Sequence, residues 1–594
     1  MAGNTLTLED VSNPDDFARQ VVGMWDSHAQ QRLNLIHRWD EIRNYIYATD
    51  SDTTSGPTTP WKNRTTRPKL TFIFDKMKTT YIRKLIPTDE FFRWKGSPHS
   101  KYKLIAKAIQ HLMVHKMRHP YVKFREVMAQ CLADFLLFGN CFAGVEYIFR
   151  YQRSIKDGAQ ILVFKGARPY RISPWDSDIE PLAPDYESSP YMRQEYMPRA
   201  KFYSMIEANP AMFDAVTIDK MRMAHGGAYA GTDVIEAIKN KNRTIDGVSL
   251  YDHWSSGQVN IKEYFGPIKV QDQEAYQDNQ HVMVVDNLWT AIKRNNDTYL
   301  GIKPVVHAGF RKKPDNLWSM GPLDNLIGMQ YRVDHLENAK SDALDLCVYP
   351  IRLITGDSTA ESYPIQPGAE WYVPPNGKVQ LLYPDPRILM FENDIMSKEQ
   401  EMEEFAAVPR ETAGFRTPGE KTGFEVQQLL EHADQLPDEK IAEFESQFVE
   451  PLLNLMLEQT LRHLDEWDLK SMLPEDAELW QQIQLDDLKQ DGRLYPIGSK
   501  QAKERTMKIA NVTQILELGT KLAPEHTAKF RAMQMLAEEA GVDEEGIVGF
   551  GAGLEESVAL QQKQQQLEEQ FTRDNPNAEG TPFDSMQRSQ EAAM

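Results

Sequence analysis

The chain has 594 residues, of which 41% are hydrophobic and 26% charged, with a formal net charge of −20 and a mean hydropathy of −0.55. That length accommodates two to four domains with sizeable cores, and no apolar run approaches the ~20 residues that cross a bilayer. The acid excess argues against a protein that wraps nucleic acid tightly, since phosphate binding rests on clustered Lys and Arg. It is compatible with an acidic wall that repels a passing polyanion, and also with charge that serves solubility alone.

The N-terminal stretch MAGNTLTLEDVSNPDD is acidic and lacks the basic and apolar regions of a signal peptide, so export is not expected. Asn13, Pro14, Asp15 and Asp16 suit a helix start, and the helix is expected to run to about Ala48, with Trp25, Leu35, Trp39, Ile42 and Ile46 on its apolar side. SDTTSGPTTP ends it. A second helix, LTFIFDKMKTTYIRKLI, stops at Pro87 and is followed by an aromatic strand, EFFRWKG.

Between Lys101 and Arg125 lie seven Lys or Arg and no acid, a window suited to DNA or to a neighbour's acidic patch. His111, His115 and His119 fall on one face of a helix there. No HExxH pattern or flanking carboxylate accompanies them, so they read as a surface or interface stripe and no metal site is assigned. Cys131, Cys141 and Cys347 have no CxxC spacing and read as plain thiols, without a disulfide framework. Phe124, Met128, Leu132, Phe135 and Leu136 form a buried helix face that ends at a left-handed cap at Gly139 and Asn140. CFAGVEYIF and ILVF then read as a hairpin.

Residues 199 to 243 read as helix broken by Gly226, Gly227 and Gly231. VNIKEYF, HVMVVDNLWTAI and KPVVHAGF read as strands. A long helix is predicted from about Leu323, after the breaker Met320, Gly321 and Pro322. Its apolar face comprises Leu326, Met329, Val333, Leu336, Ala339, Ala343 and Leu346. At about 1.5 Å per residue it spans roughly 37 Å. Strands VYPIRLIT and AEWYVPP follow, then a helix from about Asp394 to Ala407 with an acidic face. A loop containing Arg410, Arg416 and Lys421 comes next, and then a helix over 438 to 465 kinked at Pro451. QLDDLKQDGRLYPIGS reads as a hairpin turning at Asp491 and Gly492. Helices from Ser499 onward lead to a Gln-rich helix and a polar tail from Asn575 expected to be disordered.

The segment KPVVHAGFRKKPDNLWSMGPLDNLIGMQYRVDHLENAKSD, with Gln330 and Asn338 in its helix, resembles the stem region of tailed-bacteriophage portal (head-to-tail connector) proteins. The helix that stops at Pro87 and the passage RPYRISPWDSDIEPLAPD are similar to earlier parts of that family, and the order of features resembles it over most of residues 70 to 465. The resemblance implies an α+β, mainly helical, portal-like fold assembled as a ring, twelve subunits being the family expectation. It would place a wing in residues 1–198, a first stem helix in 199–247, a clip in 248–318 and a second stem helix in 319–347. A wing return with a channel loop near 408–423 would occupy 348–465, a crown 466–574 and a tail 575–594. Arg410, Arg416 and Lys421 would touch translocating DNA, and Leu326, Met329, Val333 and Leu336 would pack stem helices. The implied partners are further copies of the chain, double-stranded DNA, the terminase large subunit, a head-completion or tail adaptor, and the major capsid and scaffolding proteins. No membrane partner or cofactor is implied. The implied location is the portal vertex of the virion, with the host cytoplasm during assembly.

Enzyme readings find less in the residues. PGEKT ends like a phosphate-binding loop, but Glu420 stands where glycine is required before Lys421. There is no GxSxG elbow. Acid pairs such as Asp176 and Asp178, or Asp486 and Asp487, fall in turns that capping explains. The alternatives are a metal-dependent nucleic-acid-processing enzyme and a non-viral helical scaffold. No catalytic residue is assigned.

Overall fold

The β-rich passages gather strands from distant parts of the chain. The computed structural model describes residues 8–9, 14–47, 63–86, 91–96, 102–153, 158–208, 210–224, 234–249, 257–269, 276–292, 303–355, 376–383, 385, 387, 390–408, 436–470 and 492–496. All belong to one unit, Met1–Pro496. The expected channel loop, its residues Arg410, Arg416 and Lys421, the helices from Ser499 onward and the polar tail lie outside the described residues.

Strand β1 (Leu8–Glu9) precedes α1 (Pro14–Gln31) and α2 (Leu33–Tyr47). The single helix expected here is interrupted at Arg32, although Arg32 N still donates to His28 O and Ile36 N to Arg32 O, both at 3.0 Å. The side chain explains the break. Arg32 is buried, donates to the Ser177 carbonyl and has Trp25 and Trp318 rings at 5.3 and 5.5 Å. Trp39 packs beside it, with Phe138, Trp175 and Trp318 within 6.0 Å.

Next come α3 (Lys69–Leu85), β2 (Phe92–Gly96), α4 (Tyr102–Arg118) and α5 (Phe124–Phe138). Gly139 caps α5 in the left-handed region at φ 69°, as the Gly-Asn pair predicts. It is also a point of close approach, because a Cβ there would meet the Met320 carbonyl carbon at 2.3 Å and the Gly321 nitrogen at 2.4 Å. The turn opens β3 (Asn140–Arg153), which pairs antiparallel with β4 (Gln160–Ile172).

The six-stranded sheet has β5 (Ser177–Ile179), β6 (Tyr191–Pro198), β7 (Gln258–Lys269), β8 (Tyr276–Val285) and β9 (Trp289–Ile292) in that order, with β1 parallel to β7. β7 is buried on both faces, so it lacks the alternation of a half-exposed strand. One side joins the main core through Tyr264 and Phe265. The other forms a satellite core of Val259, Ile261, Met283 and Val285 with Phe202 of α6 (Arg199–Ala208) and Met221 of α7 (Ala215–Ala224). α8 (Val234–Ile245) lies against α2.

Strand β10 (Val305–Gly309) pairs with β3, and β11 (Arg311–Lys313) with β12 (Asn316–Met320). Helix α9 (Ile327–Val348) begins four residues after the expected Leu323, because Leu323 to Leu326 form a turn closed by Leu326 N to Leu323 O. β13 (Ile351–Thr355) pairs with β14 (Lys378–Leu382), and α10 (Phe391–Phe405) follows. The helix over 436–462 carries a π-turn at Glu445–Val449 directly before α11 (Glu450–Arg462). Pro451 has no N–H to donate, and the widened turn takes up the mismatch where a kink is expected. After α12 (Glu466–Lys470) comes β15 (Gly492–Pro496), which pairs with β2. Gly492 is therefore the first residue of a strand whose partner lies some four hundred positions earlier in the chain.

Among the described residues of 199–247 there are α-helices of 10, 10 and 12 residues; the three glycines expected to break this region lie outside the described residues. Within 248–318, β7 pairs with β6 and β10 with β3. Pairing of this kind is long-range and leaves no mark in local composition.

Candidate functional site: a helix pair and its strand ladder

Helix α9 is buried along two stripes. The first is apolar and is the one the sequence pattern indicates: Leu326 just before the helix, then Val333, Leu336 and Ala343, all under 9% exposed, with Met329 half-buried. These side chains pack within the chain's own core. Val333 at 0% exposure and Leu326 and Leu336 at 1% and 4% have little surface to offer a neighbouring copy, whereas Met329 keeps some. Leu346 is 37% exposed and lies outside the stripe.

The second stripe is polar and was missed. Gln330, Asp334, Asn338 and Asp342 recur every four residues and grip the non-helical segment 63–68 and the start of α3. Asp342 Oδ1 accepts from Asn63 N at 2.9 Å. Asn338 Oδ1 accepts from Thr65 N at 2.9 Å, while its Nδ2 donates to Thr65 O at 3.1 Å. Asp334 Oδ1 accepts from Arg67 N at 2.9 Å. Gln330 Nε2 donates to Arg67 O at 2.6 Å, and its Oε1 accepts from Leu70 N at 3.2 Å.

The match is geometric. Four helical residues advance about 6.0 Å, and two extended residues about 6.6 Å. A polar side chain every fourth helix position thus meets every second peptide of the segment and satisfies backbone groups that would otherwise be buried unpaired. Burial pushes the Asp334 carboxyl up to about 7 against the opposing pull of the Arg67 N–H and the Gln330 amide. Its Oδ2 is buried without a hydrogen bond among the described residues.

Helix α10 runs antiparallel to α9. Lys340 pairs with Glu392 at 2.5 Å near one end, and Lys69, next to the peptide held by Gln330, pairs with Glu403 near the other. Between them Arg67 reaches Glu399 at 3.2 Å, Glu337 at 3.5 Å and Glu392 at 3.7 Å. Part of the acidic face of α10 is thereby neutralised inside the chain.

The strands joining the two helices are of a different kind. Among the described residues β13 and β14 pair only with each other, and several of their apolar side chains are exposed: Ile351 56%, Leu353 44% and Leu382 48%. The end of α9 continues the surface with Val348 and Tyr349. A two-stranded ladder that has no further strand beside it among the described residues and exposes apolar side chains is marginal in water by itself and is a template for another chain.

The other sequence candidates disperse. His119 stacks on Phe164 at 4.2 Å, and burial lowers its pKa. No group of three His, Cys, Asp or Glu able to hold a metal ion occurs among the described residues. The basic window is partly consumed internally, since Lys116 is 3% exposed and pairs with Asp468. Cys131 and Cys141 are buried and Cys347 exposed, and all three are free. No described helix is long and apolar enough to cross a membrane. No family model matches the chain, and no curated protein matches it.

Proposed function

We propose that the chain is a subunit of a portal-type ring, a non-enzymatic conduit through which double-stranded DNA enters and leaves a capsid. The observation that carries this reading is the excursion from Ile327 to Phe405: two antiparallel helices joined by a ladder that pairs with no other described strand and exposes apolar side chains. On this reading α9 and α10 are the stem pair and β13 with β14 the clip strands. This moves the stem and clip away from residues 199–318, whose described strands belong to the body's sheets. A ring of identical subunits uses two different complementary surfaces on each copy, and the ladder is a surface of that kind. The net charge of −20, repeated around a ring, keeps a polyanion from adhering to the wall. Arg410, Arg416 and Lys421 are proposed to make the few reversible phosphate contacts of the channel loop. Terminase, an adaptor, and the capsid and scaffolding proteins are the proposed partners.

The test is native mass spectrometry of the purified chain with negative-stain images of the same sample. Rings near twelve subunits with a central hole are expected. Persistent monomer at high concentration, together with metal-dependent nuclease activity, overturns the reading in favour of an enzyme. Arg416→Glu is expected to leave rings intact and impair DNA packaging; unchanged packaging removes Arg416 from the channel.

A further inference from the structure

We propose that a cleft between α2, α3, α5, α8 and the end of β4, well away from the α9–α10 pair in sequence, binds a nucleoside monophosphate. The cleft has a volume of about 500 Å³, within the range of small-molecule sites. Its wall divides into two halves. One is aromatic: Tyr47 is 58% exposed, with the Arg43 guanidinium 5.9 Å from its ring, and the largely buried Phe138 and Trp175 complete this half; Tyr47 offers the ring face that suits a heterocyclic base. The other is cationic, formed by Arg43, Lys78, Arg171, Lys239 and Arg243.

The cations are not equally available. Arg171 is held in a two-pronged pair by Asp134, at 2.5 and 2.7 Å, and Lys239 by Asp176 at 2.5 Å. These two belong to the fold. Lys78 makes no ion pair among the described residues; the Phe74 ring lies at 5.8 Å, and the Asp134 carboxylate, itself held by Arg171, is near enough to feel its charge. Arg43 meets Asp246 through one terminal nitrogen, and Arg243 meets Glu236 and Asn240 through one of its own. The remaining guanidinium N–H groups of both have no partner among the described residues. Three cationic groups with donors to spare on one wall are the recognition chemistry of a phosphate monoester.

A second, independent feature concerns the base. Asn242 is 5% exposed, and its Nδ2 donates to Asp40 Oδ1 at 2.7 Å. Its Oδ1 is buried with no donor among the described residues. Such an acceptor is costly to leave unmade; it is closed to solvent as it stands, and a small turn of the Asn242 side chain toward the cleft it lines would let a base's exocyclic amino group supply the missing N–H. Asp246, 48% exposed beside Gly247 at φ 81°, holds Arg43 from the mouth of the cleft. An incoming phosphate replaces that carboxylate on the same guanidinium. The carboxylates Asp40, Asp176 and Glu236 stand close behind the cations, so binding is expected to be modest, with Kd on the order of 0.1 mM.

The test is calorimetric titration of the purified full chain with a nucleoside monophosphate, the corresponding nucleoside and inorganic phosphate. The monophosphate is expected to bind at least tenfold more tightly than either fragment. Lys78→Glu is expected to weaken it at least tenfold with an unchanged circular dichroism spectrum. Asp246→Asn is expected to tighten it several-fold, because the competing carboxylate is gone; a purely structural Arg43–Asp246 pair would give no such gain. No heat at millimolar ligand, equal binding of inorganic phosphate, or an Asp246→Asn affinity at or below that of the parent each overturns the proposal. If Lys78→Glu fails to fold, the Asp246→Asn result decides alone. Binding is read on the chain in any assembly state, so this proposal and the ring reading fail separately.

Discussion

Asn338 and Thr65 are joined as two peptides are joined: Asn338 Oδ1 accepts from Thr65 N and from its hydroxyl, at 2.9 and 3.0 Å, and Asn338 Nδ2 donates to Thr65 O at 3.1 Å. A helix side chain here acts as the neighbouring strand that segment 63–68 lacks among the described residues. Asn338→Leu keeps the branched shape at somewhat larger volume and removes all three bonds, leaving a partly buried N–H and C=O unpaired. A loss of about 2 kcal/mol or more is expected in urea unfolding. Asn338→Asp keeps the acceptors and is expected to lose less. Equal losses in the two variants would mean that packing, not pairing, holds the segment.

Asp334 carries the same stripe and makes it sensitive to pH. Its carboxyl is raised to about 7 in the folded chain, against about 3.9 for an unfolded Asp. Between these values the native state holds the extra proton, so this residue's contribution to stability falls as pH rises from about 4 to about 7 and stays low above that. Asp334→Asn keeps an oxygen for Arg67 N and carries no charge. It is expected to melt above the parent at pH 8 and to approach it at pH 5. Melting curves at the two pH values check this, and a gap that is the same at both excludes Asp334 as the titrating group.

Asp468 lies between two buried lysines, Lys116 and Lys165, each 3% exposed at the side chain, and Trp467 covers them at 5.6 and 5.8 Å. Burial lowers the Lys116 pKa against the pull of this carboxylate. Asp468→Ala leaves buried Lys116 without its carboxylate beside Lys165, which keeps Asp465 at 2.6 Å, and removal of one member of a buried ion group costs about 3–5 kcal/mol. The check is chemical denaturation; a loss below about 1 kcal/mol would show that solvent reaches the lysines.

Much of this architecture was legible in the sequence where the signal is local. The Gly139 cap, the β3–β4 hairpin and the helix interrupted near Pro451 follow from turn chemistry and periodicity. The polar stripe of α9 was equally local, four side chains at four-residue spacing, yet it was hidden because polar positions on a helix read as solvent-facing. Pairings between remote strands, β2 with β15 and β3 with β10, leave no mark in composition. For that reason the sequence carries no sign that β10 of residues 248–318 joins β3 or that β7 joins β6.

The long helix allows assembly to be separated from folding. Val333 is fully buried within the chain, so Val333→Asp is expected to cost several kcal/mol through a buried charge and to yield unfolded or aggregated protein. Loss of rings in that variant would therefore say nothing about an interface. Leu353 and Leu382 are 44% and 48% exposed on the β13–β14 ladder, and Leu353→Asp with Leu382→Asp removes apolar surface that a second copy would cover. The double variant is expected to keep the parent's melting temperature at low concentration and to stay monomeric in native mass spectrometry. Rings as abundant as the parent's would exclude the ladder from the contact between subunits. A lowered melting temperature in the isolated monomer would mean that the ladder packs within its own chain.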